Sequence, residues 1–237
     1  MTMSLKKAMI FAAGRGERMR PLTDACPKPL LEVGGKPLIV WQIERLARAG
    51  LQTIVINHAW LGERIEAALG DGSRWGVQLR YSAEHEALET AGGIVQALPL
   101  LEDEGRSEVF VAVSGDVYAD FDYATLNTRA ETLKALTGPG MHLVMVPNPA
   151  FHPNGDFGLR DGTLSLDAQP RFTFGNIGLY DTRMFRDLPR GTRRALTPYY
   201  RETIASGLAS GELYEGLWEN VGTPAQLQAL DQRLRAR

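Results

Sequence analysis

A single cysteine, Cys26, stands in the whole chain, so no internal disulfide can form, and no paired Cys/His spacing suggests a zinc site. Nor is there an excess of positive charge: 26 Lys and Arg face 28 Asp and Glu, a formal net charge of -2. A protein that neutralises many phosphates carries a basic surplus, so nucleic acid is not expected as a partner. No apolar run approaches the roughly 20 residues of a membrane span. Lys6 and Lys7 before AMIFAA imitate the start of a secretory signal, but the run is short and leads straight into GRGERMRP, which reads as a strand entering a loop. Internal repeats, low-complexity tracts and long linkers are also missing. These absences lead us to expect a soluble enzyme of a reducing cytoplasm, a monomer or small homo-oligomer without a membrane partner. At 237 residues and 44% hydrophobic content the chain can bury one α/β core, and two small domains are disfavoured.

Apolar runs alternate with amphipathic segments through the first half, the pattern of strand–helix–strand units feeding a parallel sheet. Strands are expected at 8–11, 53–56, 77–81 and 109–113, and helices at 37–49, 61–69 and 90–98. Pro37 suits a first helical turn and Gly50 a stop. The second half is less regular. Strands at 143–146, 157–159, 163–166 and 172–180, divided by Gly, Pro and Asn turns, suggest an appended antiparallel portion. Helices at 195–205 and 224–234 follow, and 134–140 reads as a loop. The expectation is an α/β fold with a mostly parallel central sheet and a smaller antiparallel portion.

Chemistry concentrates in MIFAAGRGERMRPLT, Met9 to Thr23, followed by PKPL at Pro27 to Leu30. Gly14 and Gly16 let backbone approach an anion, and Arg15, Arg18, Arg20 and Lys28 supply positive charge, a combination suited to a triphosphate. A dinucleotide fingerprint would need glycine where Met19 stands, and the Gly-Lys-Ser/Thr of a Walker A loop is absent. The bland reading is a solvated basic loop pairing with Glu17, Asp24 and Glu32. Asp116 ends the apolar run VFVAVSG, at the carboxyl end of a strand where open α/β sheets place ligands. There it can bind Mg²⁺ together with phosphate oxygens and water, or else cap a turn.

These residues resemble the opening signature of the sugar-1-phosphate nucleotidyltransferase family, AAGxGxRxxPLT followed by PKP. The segments NHAWLG (57–62), LETAGG (88–93), Gly115-Asp116-Val117 and Asn148-Pro149 with Gly155-Asp156-Phe157 are similar to the branch that acts on N-acetylmuramate 1-phosphate, and the chain length is expected of that branch too. The resemblance implies a Rossmann-like, GT-A-like nucleotidyltransferase fold in one domain, with residues 1–120 mainly binding nucleotide and 121–237 mainly sugar. It also implies transfer of UMP from UTP to a sugar 1-phosphate, with Mg²⁺ required. Arg15, Lys28 and Asp116 are then the catalytic set. Ala12, Ala13, Gly14, Arg15, Gly16, Glu17, Arg18, Lys28, Glu89, Gly92 and Gly93 bind the nucleotide. Asn57, His58, Asp156, Gly175 and Asn176 hold the sugar, and Asp116 and Asn220 the metal. Two departures stand out. The family's WxDVGT segment reads Trp218-Glu219-Asn220-Val221-Gly222-Thr223, with an uncharged amide in place of the second aspartate. A second lysine that many relatives direct at the sugar phosphate has no match, which leaves Arg171 or another arginine as its substitute. The competing expectations are a glucose or mannose 1-phosphate nucleotidyltransferase and, in another class, a non-catalytic nucleotide-sugar-binding regulator.

Overall fold

The structure, a computed structural model, describes residues 5–237. In chain order its elements are β1 (Lys7–Phe11), β2 (Glu32–Val33), β3 (Lys36–Pro37), α1 (Leu38–Arg48), β4 (Thr53–His58), α2 (Gly62–Leu69), β5 (Gln78–Ala83), α3 (Glu89–Leu101), β6 (Val109–Ser114) and β7 (Val117–Ala119). There follow α4 (Leu126–Lys134), β8 (Met141–Val146), β9 (Phe157–Arg160), β10 (Thr163–Ser165), β11 (Arg171–Asp181), α5 (Thr197–Ala205), β12 (Ala209–Leu213), β13 (Trp218–Asn220) and α6 (Pro224–Arg235).

One nine-stranded sheet runs through the molecule in the order β5-β4-β1-β6-β11-β8-β12-β10-β9. The first four strands are parallel to one another. β11 then enters antiparallel beside β6, and β8 lies antiparallel to β11. β12 is parallel to β8, and β10 and β9 complete the sheet antiparallel. The sheet is therefore mixed. Parallel order prevails in the half built by the first 114 residues and not in the rest, where β9, β10 and β11 follow one another through connections too short for a crossover helix.

Helices cover both faces of the parallel half, and the alternation of the strands shows why. Ala8 and Ile10 of β1, Ile54 and Ile56 of β4 and Val111 and Val113 of β6 pack with Ile39, Ile43 and Leu46 of α1. Met9, Val55, Phe110 and Ala112 point the other way and pack with Ile94, Val95 and Leu101 of α3. A strand buried on both faces reads as a continuous apolar run, which is what AMIF and VFVAV are. A smaller cluster joins Met19, Val33, Leu38, Tyr118, Val221 and Leu230, fixing α6 beneath the arginine-rich loop. Among the described residues no helix is long and apolar enough to cross a membrane.

Two irregularities position the site. β11 changes register against β8 between Phe174 and Gly178, and Asn176 within that bulge has φ +55°. Bulges of this kind re-aim a side chain. The two-stranded ladder β13–β7 pairs Asn220 with Val117, and the Val221 amide donates to the Asp116 carbonyl at 3.0 Å, so the C-terminal WEN segment lies beside the loop that follows β6.

Candidate active site

Three adjoining clefts form one groove over the carboxyl ends of β1 and β6, where a doubly wound sheet places its ligands. The first, about 350 Å³, is lined by Ala12, Ala13, Gly14, Lys28, Asn57, Glu89, Thr90, Ser114, Asp116 and Arg193, among others. A middle cleft of about 190 Å³ shares Phe11, Thr90 and Ser114 with it. The third, about 360 Å³, shares Phe174, Asn176, Thr197 and Tyr200 with the middle one and adds His152, Asp156, Trp218 and Asn220.

The loop after β1 is held from within. Gly16 has φ +69°, and a β-carbon there would lie 3.0 Å from Thr23 Cγ2 and 3.1 Å from Lys28 Cβ. Both the dihedral and the space call for glycine. The Thr23 hydroxyl donates to the Gly16 carbonyl at 2.8 Å and closes the loop. Lys28 is only 8% exposed, and its Nζ lies 2.6 Å from Asp116 Oδ2, so the cation of the PKP segment and the carboxylate of the Gly-Asp segment meet across the floor of the first cleft. Arg15 stacks its guanidinium 4.2 Å from the centre of the Trp60 ring. Trp60 in turn donates Nε1–H to the Thr23 carbonyl, so NHAWLG braces the same loop. Arg18 lies against Gly222, where a β-carbon would sit 3.4 Å from its Nη2. Glu17 is exposed. Arg20, rather than Arg15 or Arg18, takes the local partner Asp24, at 2.5 Å.

Asn57 is 3% exposed and has both ends of its amide occupied: Oδ1 accepts from the Ala12 amide at 3.1 Å, and Nδ2 donates to Glu84 Oε1 at 2.7 Å. It thereby fixes where the loop leaves β1. Glu84 Oε2 accepts from the Leu88 amide at 2.8 Å, tying the start of LETAGG to the same point. Burial pushes the Glu84 carboxyl above its usual range, against the opposing pull of these two donors. Gly93 lies beside this pair, where a β-carbon would come within 2.8 Å of both Asn57 Nδ2 and Glu84 Oε1. Because both neighbours are donors, Glu84→Gln must turn an amide nitrogen toward one of them. We expect a loss of about 1–3 kcal/mol, read as a lowered urea midpoint. An unchanged midpoint would show that the two hydrogen bonds do not matter to the fold. His58 faces away from the groove, with Nε2 2.7 Å from Glu66 Oε1 on α2.

The LETAGG segment opens α3 in an unusual way. Glu89 has φ +59° and its Oε1 lies 3.2 Å from Arg193 Nε. At Gly92 a β-carbon would lie 2.4 Å from the Thr192 carbonyl oxygen, so the segment 192–194 packs directly on this glycine. Arg193 was not among the residues expected from sequence.

At the far end, Asp156 is firmly held. Its Oδ2 accepts from the Phe174 amide at 2.7 Å, and its Oδ1 lies 3.1 Å from His152 Nε2. The Gly175 carbonyl accepts from Trp218 Nε1 at 2.8 Å. Arg171 donates to the carbonyls of Leu166 and Asp156, both at 2.6 Å, and so braces the loop from outside the groove. Tyr200, on the wall shared by the middle and third clefts, bonds its hydroxyl to that of Tyr180 at 2.9 Å, and burial raises its pKa far enough to keep it a neutral hydroxyl.

Asp116 and Asn220 sit on adjoining backbone segments and offer hard oxygen donors, a carboxylate and an amide carbonyl. Among the described residues no group of three or more His, Cys, Asp and Glu could itself hold a metal ion. This donor set fits a hard dication that draws most of its ligands from a bound triphosphate and water. The Lys28 ammonium at Asp116 shows that this carboxylate already faces a positive charge.

Comparison with known proteins agrees with this geometry. The family model described as Nucleotidyl transferase matches residues 7–157, a span containing the glycine–arginine loop, Lys28, Asp116 and Asp156. The chain belongs to this family. Among the family's proteins, the N-acetylmuramate alpha-1-phosphate uridylyltransferase of Neisseria meningitidis is 47% identical over 226 residues, 94% of this chain and 95% of that protein. The enzyme of the same description from Caulobacter vibrioides is 33% identical over 99% of both chains. In fold, a Bacillus anthracis structure assigned as a glucose-1-phosphate thymidylyltransferase superposes with a TM-score of 0.79, at 24% identity over 98% of this chain and 96% of that one.

Of the residues expected from sequence, Ala12, Ala13, Gly14, Lys28, Asn57, Glu89 and Asp116 line the nucleotide-sized first cleft, and Asp156, Asn176 and Asn220 line the third. His58, Gly92 and Gly93 lie behind these walls and support them.

Proposed function

We propose that the protein transfers UMP from UTP to N-acetylmuramate 1-phosphate, releasing pyrophosphate, and so returns a cell-wall sugar to its nucleotide-linked form. The near-full-length similarity to the Neisseria uridylyltransferase carries this reading. The groove supports it, with a phosphate-binding loop at one end and an aromatic, polar cleft at the other. Residues 1–120 chiefly hold the nucleotide and 121–237 the sugar.

The acceptor needs little activation, because a phosphate monoester has a second pKa of about 6 and carries a nucleophilic oxygen at neutral pH. Its oxygen attacks the α-phosphorus of UTP, a new P–O bond forms, and the bond from the α-phosphorus to the bridging oxygen of pyrophosphate breaks. The task is to hold two anions together and stabilise the departing charge. Backbone amides of Gly14 to Glu17 cradle the triphosphate, with Arg15 and Arg18 at its oxygens. Lys28 sets a point charge at the α-phosphate. Asp116 and Asn220 would hold Mg²⁺, which would supply charge neutralisation at the phosphates. Ala12, Ala13, Glu89, Gly92 and Gly93 surround the base, with the glycines acting through the wall they shape. Asp156, Gly175 and Asn176 receive the sugar, whereas Asn57, which lines the first cleft, and His58, turned to Glu66, hold the end of β4 at the nucleotide end and do not reach the sugar cleft.

The test is pyrophosphate release from four NTPs crossed with N-acetylmuramate, N-acetylglucosamine, glucose and mannose 1-phosphates, with Mg²⁺ and with EDTA. Turnover confined to UTP and the muramate, and abolished by EDTA, is expected. Nucleotide binding without turnover on any pair would instead identify a regulator. Asn220 adds a narrower expectation. An amide oxygen brings no charge to the metal, so Asn220→Asp should lower the half-saturating Mg²⁺ concentration about threefold or more. An unchanged Mg²⁺ titration would remove Asn220 from the metal site.

A further inference from the structure

The segment 193–197 runs along the whole groove: Arg193 lines the first cleft, Ala195 and Leu196 the middle one, and Thr197 the middle and third. Its start is stapled to the first turn of α3. The Arg194 carbonyl accepts from the amides of Ala91 and Gly92 at 3.0 and 3.1 Å, and the Arg194 amide donates to the Leu88 carbonyl at 2.9 Å. The absence of a side chain at Gly92 makes that contact possible. The result is a backbone pinned at the residue that follows Arg193, whose own side chain is 73% exposed.

That arginine shares the first cleft with Lys28 and Asp116. Its partner is Glu89, a non-glycine residue at φ +59°, a conformation that costs of order 1 kcal/mol or more and recurs at ligand-binding positions. The pair is exposed at both ends, and exposed ion pairs of this kind are worth little. A phosphate offers a guanidinium two oxygens in a matching fork and more charge than one carboxylate. Exchange of Glu89 for a phosphate therefore costs little and gains a stronger contact.

We propose that Arg193 is a substrate-binding residue that leaves Glu89 to grip a phosphate group in the groove. The assignment rests on the nucleotidyl-transfer reading, and either the donor triphosphate or the acceptor 1-phosphate supplies the group. Calorimetric titration of UTP and, separately, of N-acetylmuramate 1-phosphate into the protein, Arg193→Ala and Arg193→Lys reads the contact without turnover. Arg193→Ala should weaken one of the two ligands roughly tenfold, the scale of a lost charge-assisted hydrogen bond, with partial recovery in Arg193→Lys. Weakened UTP assigns the donor, and weakened sugar phosphate the acceptor. Unchanged affinity for both ligands overturns the proposal, as does equal weakening in Arg193→Ala and Arg193→Lys accompanied by a lowered melting temperature, which marks a structural role. A protein that binds both ligands but shows no turnover would sink the functional reading and leave the Arg193 result standing.

Discussion

Asp116→Ala is expected to lower kcat/KM by about a thousandfold or more, on the order of 4 kcal/mol of transition-state stabilisation. The carboxylate stands at the end of β6, in the first cleft, on the backbone segment that pairs with Asn220. In the proposed site its loss would remove the charged protein ligand offered to the metal, and it leaves the Lys28 ammonium without its partner at 2.6 Å. Stability should fall far less, by about 1–3 kcal/mol, because the carboxylate is one-third exposed and water can reach the position. Asp116→Asn separates the two effects: it keeps the shape and an oxygen donor and removes the charge. Full specific activity in either variant, with only a lowered melting temperature, would make Asp116 a structural cap and refute the metal reading.

The second large effect is expected at Lys28. Replacing it with methionine keeps a stem of similar volume against Gly16 and removes the ammonium. The reaction brings a phosphate monoester dianion to a polyanionic nucleotide, so loss of a buried cation from the proposed α-phosphate position should cost about a hundredfold or more in kcat/KM. Arginine is a poor replacement, because its planar fork needs room that an 8% exposed site does not offer. Activity within a few-fold of the parent in Lys28→Met would show that the Lys28–Asp116 pair serves only to hold the floor of the cleft.

Much of the parallel half was legible in the sequence for physical reasons that can be named. Strands β1 and β6 are buried on both faces and so appear as unbroken apolar runs, and α1 begins and ends where Pro37 and Gly50 suggest, within a residue or two. α3 runs to Leu101, past the expected end at 98: Pro99 lies in its last turn, yet buried Leu101 continues the face that Ile94 and Val95 pack against the sheet. The second half was harder. α4 carries its apolar residues at Leu126, Ala130 and Leu133, a helical spacing hidden among polar neighbours, and it was not anticipated. β12, Ala-Ser-Gly-Glu-Leu, has almost no strand character and is strand because β8 offers it an edge. The same distinction holds at the site. Lys28 and Asp116 stand 88 residues apart, yet each was visible in its own motif, and the structure brings them together. Gly92 and Gly93 carried a visible signal, but the reason for it, a backbone at 192–194 and the Asn57–Glu84 pair, depends on contacts that spacing does not encode. Arg193 gave no local signal at all, since it lies among the arginines of a polar loop and reaches the cleft only through the docking of that loop on α3.

The groove is expected to join UMP to one particular sugar phosphate. The most direct test supplies UTP and Mg²⁺ with equimolar N-acetylmuramate, N-acetylglucosamine, glucose and mannose 1-phosphates in one vessel, and identifies the nucleotide sugars formed by mass spectrometry. UDP-N-acetylmuramate as the dominant product is the expected result. A product mixture led by another sugar, or intact UTP after prolonged incubation, would contradict it.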